Sequence, residues 1–363
     1  MPHLRPRLFA AALACIVCLV EPSAHAARSR AQSLLSPWDL HPVSLTDAKY
    51  DCPTVTALPH DIVAYDYYSD SKHSIIDPTR YAAYQAASKQ YGGVEDAAER
   101  AADNFQSTGS RAAAACAARI LFAQAQANAM AGNMSSNQAY YVQNWAVGAL
   151  AVAWLKVRSA DADALGLSPV QTAALTSWMK TVAGQVEDYF DKQHEKNSGS
   201  GVNNHYYWAG FAALAAGIAA NDRSLYDWGI STYKFGIDQI EPDGTLPLEM
   251  ARGQRALHYH LFALAPLVTM AELASANGDD LYAYDNSRLK LLVDVSVAGL
   301  ADNHFFAEKS GVAQDTPKDG QISASDISWI RPYARRFPSP AIAAVLSHTP
   351  IGSDRYLGGL PPL

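Results

Sequence analysis

The sequence predicts an all-α fold built from antiparallel helix pairs. Apolar residues recur at three- and four-residue spacing in long runs, Gly- and Asn-containing stop signals separate these runs, and convincing β alternation is absent. Short loops between many helices favour a layered α/α barrel or toroid, although a helix bundle would show similar local patterns. Hydrophobic residues make up 49% of the 363 residues, which is enough for a substantial core.

The helical segments follow a stretch, residues 27–60, that is rich in Pro and Ser and is predicted to have little regular structure. Breaks such as Gly92-Gly93, Gly132-Asn133 and Asp243-Gly244 mark their ends. The predicted helices are 80–90, 94–104, 110–131, 137–158, 169–194, 204–221, 223–240, 248–277, 280–300 and a weaker one at 326–335.

Two polar stretches interrupt the helical pattern. Residues 64–80, AYDYYSDSKHSIIDPTR, combine aromatic and polar side chains, and residues 308–321 form a polar loop. Loops with several aromatic residues commonly bind a ligand, so the first stretch is a candidate lid. Its tyrosines could equally pack the loop onto the protein surface.

Residues 1–26 have the features of a secretory signal peptide. Arg5 and Arg7 precede the apolar run 8–20, and Ala24 and Ala26 form the small-residue pattern of a cleavage site. The apolar run is short for a membrane span. We expect cleavage after about Ala26, leaving a single domain, residues 27–363, that is periplasmic or secreted, makes no membrane contact and is monomeric.

The cysteines are consistent with export. Cys15 and Cys18 belong to the signal peptide, so Cys52 and Cys116 are the pair that the mature chain retains. An even pair in an oxidising compartment predicts one disulfide, with two unpaired thiols as the alternative. Neither cysteine lies in a metal-binding pattern, and we expect no metal and no cofactor.

The formal net charge of −7 argues against a general nucleic-acid-binding protein. A local cluster of Arg and His could still bind an anion. NNHYYW at 203–208 provides one such candidate, because it places an amide pair and His205 where a helix begins. One Asn can cap the helix, and Asn204 is then free to donate its amide near an N-terminus that favours anions.

A second candidate lies in LPLEMARGQRALHYHLFAL, residues 246–264. On one helix, Arg252 and Tyr259 are seven residues apart and share a face, with Arg255 and His258 as near neighbours. Each residue alone is more commonly a surface Arg or a half-buried Tyr. The i, i+2 spacing of His258 and His260 places them on nearly opposite faces, which disfavours a metal site.

Asn, His, Arg and Tyr together suit the removal of a proton from a carbon next to a carboxylate. Arg and Asn would stabilise the negative charge that develops on the carboxylate, neutral His would accept the proton, and Tyr would protonate the leaving oxygen. If Tyr acted as the base, a neighbour such as Arg252 would have to lower its pKa. This set of groups predicts β-elimination from a uronic acid polymer without a metal.

These motifs resemble the alginate lyases of polysaccharide lyase family 5. The resemblance extends to YYSDSKHSIIDP at 67–78, to the segment around Cys116 and to SDRYLGG at 353–359, so it covers most of the mature chain. It implies an exported, incomplete (α/α) toroid that cleaves 1,4-linked polyuronates and forms 4,5-unsaturated uronate ends.

The resemblance also implies roles for individual residues. Asn204 and Arg252 would neutralise the carboxylate, His205 would be the base and Tyr259 the acid, with Tyr259 serving as both on mannuronate. Residues 64–80 would form the mobile lid and place Tyr67 or Tyr68 over the substrate. The further substrate-binding candidates are Lys72, Gln143, Trp145, Tyr206, Trp208, Arg255, His258 and Arg355, of which Trp145 could instead be a core residue.

Two positions depart from the family pattern. Asp66 stands where alginate-dedicated members carry a Lys, and Tyr356 stands where they carry an Arg before the late LGG. We therefore expect polymannuronate as the leading substrate, with polyglucuronate or hyaluronan-like chains as competitors. The alternatives are an inverting glycoside hydrolase that uses Glu249 and Asp243, and a non-catalytic polyuronate-binding protein.

Overall fold

A computed structural model describes residues 33–197, 199–315, 323, 325–349 and 352–362, and within these ranges the chain is mainly helical. Only isolated β-bridges, and no strand, are found among these residues. The α-helices are Pro37–Leu40 (α1), Pro78–Thr108 (α2), Arg111–Gln126 (α3), Asn137–Val157 (α4), Ala162–Leu165 (α5), Pro169–Glu195 (α6), Asn204–Ala220 (α7), Arg223–Asp238 (α8), Pro247–Met250 (α9), Ala256–Ser275 (α10), Tyr284–Ser287 (α11), Leu289–Ala301 (α12), His304–Ser310 (α13), Ile330–Arg336 (α14) and Pro340–His348 (α15).

The long helices form two layers, an inner layer of buried helices and an outer layer of amphipathic ones, as expected for paired helices. Helices α4, α7 and α10 are buried on nearly all sides. Helices α2, α3, α6 and α8 bury one face against them and expose the other. This arrangement confirms the predicted all-α fold. The apolar helices are shielded from solvent because the amphipathic helices pack over them.

The predicted break at Gly92-Gly93 is wrong. Helix α2 runs without interruption through both glycines, because its second half, from Tyr91 to Phe105, packs onto the core. Gly92 instead provides room for a neighbouring side chain. A Cβ atom there would lie 2.5 Å from Nη1 of Arg355, so glycine allows the guanidinium to approach the helix.

The predicted helices 248–277 and 280–300 are each divided in the structure. Residues 251–255 form a turn and a short 3₁₀ helix between α9 and α10. In the second segment, Asp285 and Asn286 have positive φ angles of 45° and 55°, which end the helical path before α12 begins. Local interruptions of this kind do not disturb the apolar spacing, so periodicity alone does not reveal them.

Helix Gly253–Ser275 is the one segment of the described residues that is long and apolar enough to cross a membrane, and 89% of its apolar window is buried inside the protein. Burial of this kind is typical of a core helix. The predicted signal peptide, residues 1–26, lies outside the described residues and stays a prediction, as does the part 316–321 of the predicted polar loop. The loop prediction is wrong for residues 308–310, which form the last turn of α13.

The predicted disulfide between Cys52 and Cys116 is present and joins the N-terminal segment to α3. We expect the double variant Cys52→Ala/Cys116→Ala to lose about 2–5 kcal/mol of unfolding free energy, because the sequence separation of 64 residues closes a large loop in the unfolded chain. Urea titration of the variant and of the reduced wild type should give matching losses. An unchanged midpoint in both would show that this cross-link does not limit stability.

Candidate active site

A cavity of about 820 Å³ lies between the aromatic loop 64–77, the first turns of α7 and α10, and the late segment 353–356. Its lining combines tyrosines, histidines, arginines and carboxylates. Among the sequence-predicted residues, the cavity is lined by Tyr67, Tyr68, Trp145, His205, Arg252, Arg255, His258, Tyr259 and Arg355.

Helix α7 begins at the Asn pair as expected. The Asn203 side chain accepts a hydrogen bond from the His205 backbone N–H at 3.0 Å and so caps the helix. Asn204 is fully buried, and both its backbone N–H and its Nδ2 donate to Oε1 of Glu249 at 2.9 Å. Asn204 therefore lies behind the cavity wall, whereas the sequence predicted an amide free to meet a substrate.

His205 lies at the cavity surface in the first turn of α7. Its ring stacks on Tyr141 with centroids 3.8 Å apart, and its Nδ1 has no hydrogen-bond partner. Burial lowers the pKa of His205 to about 3, and the positive charge of Arg252 acts in the same direction. The imidazole is therefore neutral at physiological pH and can accept a proton.

Arg252 and Tyr259 meet, although they do not share one helix as predicted. Arg252 lies in the turn after α9, and Tyr259 lies in the first turn of α10. The guanidinium carbon of Arg252 lies 3.5 Å from the centroid of the Tyr259 ring, which is cation–π geometry. The broken helix thus still places a positive charge directly on the face of the phenol.

The hydroxyl of Tyr259 is held by the aromatic loop. Its oxygen lies 2.5 Å from the Tyr68 hydroxyl, which also accepts a hydrogen bond from Nη1 of Arg255 at 3.0 Å. Burial raises the pKa of Tyr259 well above its ordinary value, and the nearby Arg252 charge offsets this only in part. Tyr259 is therefore a protonated phenol that can donate its proton.

The aromatic loop lies over the cavity and contacts the turn that carries Arg252. Nη2 of Arg252 donates to the His73 carbonyl at 2.8 Å, and Nε2 of Gln254 donates to the Ser74 carbonyl at 3.2 Å. Lys72 is exposed and does not line the cavity, which differs from its expected role. Its backbone N–H instead donates to Asp70 within the turn of the loop, which directs the side chain to solvent.

Three further predicted substrate-binding residues pack in the interior and do not line the cavity. Gln143 donates to the Met130 carbonyl and to Gln185. The Tyr206 ring stacks on His194, and the Trp208 indole N–H donates to the Phe262 carbonyl. The structure thus corrects these three assignments: aromatic and amide residues at a helix start also serve as buried, hydrogen-bonded packing groups.

Several cavity residues were not predicted from the sequence. Tyr141 supports the His205 ring, and it precedes Trp145 by four residues, so the shared face of α4 was a usable signal. His73 lines the cavity from the loop, and no local pattern marks it. Gln138 lines the cavity with its Nε2 buried and unpaired, which suits a hydroxyl-rich ligand.

His258 and His260 point to different surroundings, in agreement with their spacing. His258 lines the cavity, whereas His260 is buried, with Nδ1 against the Ala256 carbonyl and Nε2 accepting the Leu246 N–H. Among the residues that the structure describes, no group of three or more His, Cys, Asp or Glu side chains could hold a metal ion.

The carboxylates considered for a hydrolase do not face each other across the cavity. Asp243 pairs with Lys309 and accepts from Thr245 on a separate surface. Glu249 is buried and binds Asn204. An inverting hydrolase needs two carboxyl groups on opposite sides of the scissile bond, so this pair does not provide one.

Glu249 connects the two predicted catalytic segments, and its removal should be costly. We expect Glu249→Ala to lose about 1–3 kcal/mol of unfolding free energy, because two buried N–H donors of Asn204 lose their acceptor. Glu249→Gln keeps a carbonyl acceptor and should recover most of the loss, as measured by urea titration. Equal losses in the two variants would contradict this role of the acceptor, and Glu241→Ala, at an exposed position, serves as the control.

Known proteins with similar sequences and folds share this architecture. The family model described as "Alginate lyase" matches residues 61–306. A polysaccharide lyase of Stenotrophomonas maltophilia is 36% identical over 85% of this chain and 89% of its own length, and an alginate lyase of Pseudomonas syringae is 31% identical over 73% and 68%.

The structure of alginate lyase A1-III from Sphingomonas species A1 superposes with a TM-score of 0.74, at 24% identity, over 91% of this chain and 96% of that one. At this sequence identity the superposition shows a shared fold and nothing further. The shared fold agrees with the predicted α/α toroid.

Proposed function

Because the chain belongs to the alginate lyase family, we propose that it is a polysaccharide lyase that cleaves 1,4-linked polyuronates by β-elimination. The observation that carries this proposal is the shared cavity in which a neutral imidazole, a guanidinium and a protonated phenol converge. Elimination next to a carboxylate needs a base, a charge-stabilising group and an acid, and these three side chains provide them.

The elimination proceeds with a balanced transfer of one proton to the enzyme and one from it. Neutral His205 accepts the proton from C5 of the uronate on an unprotonated ring nitrogen, and the electron pair is delocalised into the carboxylate. The C4=C5 double bond then forms as the C4–O4 bond breaks. Tyr259 donates its phenolic proton to O4, which leaves as the hydroxyl of the released sugar chain.

Arg252 is the group that stabilises the charge on the carboxylate in this proposal. Its Nε is buried without a hydrogen-bond partner, and its Nη2 donates to the loop carbonyl of His73. A uronate carboxylate would accept a hydrogen bond from this free Nε–H. That hydrogen bond would become stronger as negative charge develops on the carboxylate during proton removal. Asn204 is held by Glu249 behind the wall, so the proposal assigns this role to Arg252 alone.

The electrostatics favour Tyr259 as acid over Tyr259 as base. A phenol that accepts the C5 proton must first lose its own, and burial together with the neighbouring Tyr68 opposes this. Arg252 and Arg255 counteract the effect only in part. His205 needs no such activation because its imidazole is already neutral.

Polymannuronate of the alginate type is the leading substrate in this proposal, since relatives of this chain carry the name alginate lyase. Polyglucuronate and hyaluronan-like chains are the competing substrates. Asp66 in the aromatic loop and Tyr356 before the late LGG differ from the residues that alginate-dedicated family members carry at these positions. Export, a periplasmic or extracellular location and a monomeric state remain expectations that accompany the proposal.

An absorbance screen tests the proposal directly. Purified protein is incubated with polymannuronate, polyguluronate, polyglucuronate, hyaluronan and polygalacturonate. We expect at least one polymer to yield products that absorb in the ultraviolet, because the C4=C5 double bond is conjugated with the carboxylate. New reducing ends without absorbance would indicate a hydrolase, and binding without either signal would indicate a polyuronate-binding protein.

A further inference from the structure

One end of the cavity has an unusual charge for a site that accepts a polyanion. Four carboxyl groups line it, from Asp96 and Glu99 on α2 and from Asp326 and Asp354 near the C-terminus. We refer to these four residues as the acidic end. The same cavity also contains Arg252 and Arg255, and the positive charge of Arg255 acts on Asp326.

Two of the cations near the acidic end, Arg355 and Lys156, are already paired. Nε of Arg355 lies 3.1 Å from Oε2 of the buried Glu95, and its Nη1 lies 4.0 Å from Oδ1 of Asp96. Lys156 is buried, does not line the cavity, and donates to Asp103 and to the Gly358 carbonyl. A substrate carboxylate beside Glu99 and Asp354 would meet several acidic groups, and Arg355, the cation next to Asp354, is already paired with Glu95.

One acidic side chain of this end, Glu99, has a buried oxygen without a hydrogen-bond donor. Glu99 is about nine-tenths buried and lines the cavity. Its Oε1 accepts from the Ser353 hydroxyl at 3.2 Å, while its Oε2 is buried without a hydrogen-bond partner. A buried acceptor left without a donor is costly, and a donor from a bound ligand would satisfy it.

The surroundings of Glu99 match the chemistry of an uncharged sugar. Carboxylates accept hydrogen bonds from sugar hydroxyls, and the hydroxyls of Ser325 and Ser353 also line this end. The Tyr84 and Tyr356 rings line the same region, and the Tyr356 ring lies 4.9 Å from that of Trp145. Such aromatic faces pack against the C–H face of a sugar ring.

We infer that the acidic end binds a sugar ring without a carboxylate, so that Glu99 and Asp354 select polymers in which the cleaved uronate has a neutral sugar nearby. This inference rests on the proposed lyase function and narrows its substrate class. Rejection acts through like charge: a second uronate at this end is repelled, whereas a neutral sugar donates its hydroxyl protons to Oε2 of Glu99.

The test uses two polymers that differ only in charge. Polyglucuronate is compared with the same polyglucuronate after partial reduction of its carboxyl groups to alcohols. Initial rates of unsaturated product per remaining uronate are measured at a pH above the value of about 7 to which burial raises the pKa of Glu99 and of Asp354. We expect the wild type to be faster on the reduced polymer.

Two variants isolate the charge. Glu99→Gln keeps an acceptor for Ser353, and Asp354→Asn keeps one for the Tyr356 N–H that it caps. Each should raise kcat/KM on the fully charged polymer about tenfold, so that the ratio of the rate on the reduced polymer to the rate on the charged polymer falls in both variants. Glu308→Gln, on the exposed helix α13, is the control with the same charge change and should leave both rates unchanged.

The outcomes separate the inference from the proposed function. A rate ratio that is the same in the wild type, Glu99→Gln and Asp354→Asn overturns the inference. A wild type that prefers the fully charged polymer also overturns it. Absence of unsaturated product from every polymer, in folded wild-type protein, contradicts the lyase proposal itself.

Discussion

Tyr259→Phe should lower kcat by about 10²–10⁴-fold while polymer binding is retained. The variant removes only the hydroxyl that would protonate the leaving O4. The ring remains, and with it the packing of the Arg252 guanidinium 3.5 Å from the ring centroid. Turnover is measured by the ultraviolet absorbance of the unsaturated product, and binding by calorimetric titration with polymer.

A buried tyrosine outside the cavity provides the matched control for this variant. Tyr233 donates its hydroxyl proton to the Leu281 carbonyl from helix α8, far from the cavity lining. Tyr233→Phe should change stability slightly and leave kcat unchanged. Wild-type turnover in Tyr259→Phe would remove the phenol from the mechanism, and Tyr68, whose hydroxyl lies 2.5 Å away, would become the acid to examine.

His205→Ala should cause a loss of similar size, about 10²–10⁴-fold in kcat, because the imidazole is the proposed base. Added imidazole should restore part of the activity, since the alanine leaves a space beside Tyr141. His304→Ala, at an exposed position, is the control and should behave as the wild type. Full activity of His205→Ala on every uronan would exclude His205 as the base.

The pH profile gives a second measurement of the same group. A base acts in its deprotonated form, and the pKa of His205 is lowered to about 3. We expect kcat/KM to stay level through the mildly acidic range and to fall only below about pH 4. An imidazole with the ordinary pKa near 6.5 would give a rise within that range, and the burial of this side chain moves the expected rise to lower pH.

A loss of activity caused by unfolding at low pH has to be distinguished from a loss caused by protonation of His205. The pKa values of His205, His258 and His260 are lowered to about 3, 3 and 4, so these groups bind protons in the unfolded chain at a higher pH than in the folded one. Stability therefore declines as pH falls below the unfolded value of about 6.5. Circular dichroism at each pH identifies the range in which the protein remains folded. A loss of kcat/KM as the pH falls through about 6.5 in folded protein would contradict the lowered pKa of His205, whereas ionisation of Glu99 and Asp354 as the pH rises through about 7 acts in the opposite direction on a charged polymer.

The parts of the site that follow from local chemistry were predictable. A cap at Asn203 and an imidazole in the first turn of α7 follow from helix-start preferences. The partners of these groups were not, because Glu249 is 45 residues from Asn204 in sequence and no periodic signal relates them. For the same reason, residue type alone could not show that Lys72 is exposed and that Tyr206 is buried.

By itself, the sequence determined the helical class, the cysteine pair, and the histidine, arginine and tyrosine that face one cavity, because periodicity and residue chemistry are local properties. Only the tertiary structure decided that Asn204 is held behind the wall and that the cavity becomes acidic at Glu99. It also decided that His205 is neutral far below its ordinary pKa. These three properties depend on burial and on charges that are distant along the chain, and such neighbours exist only once the helices have packed.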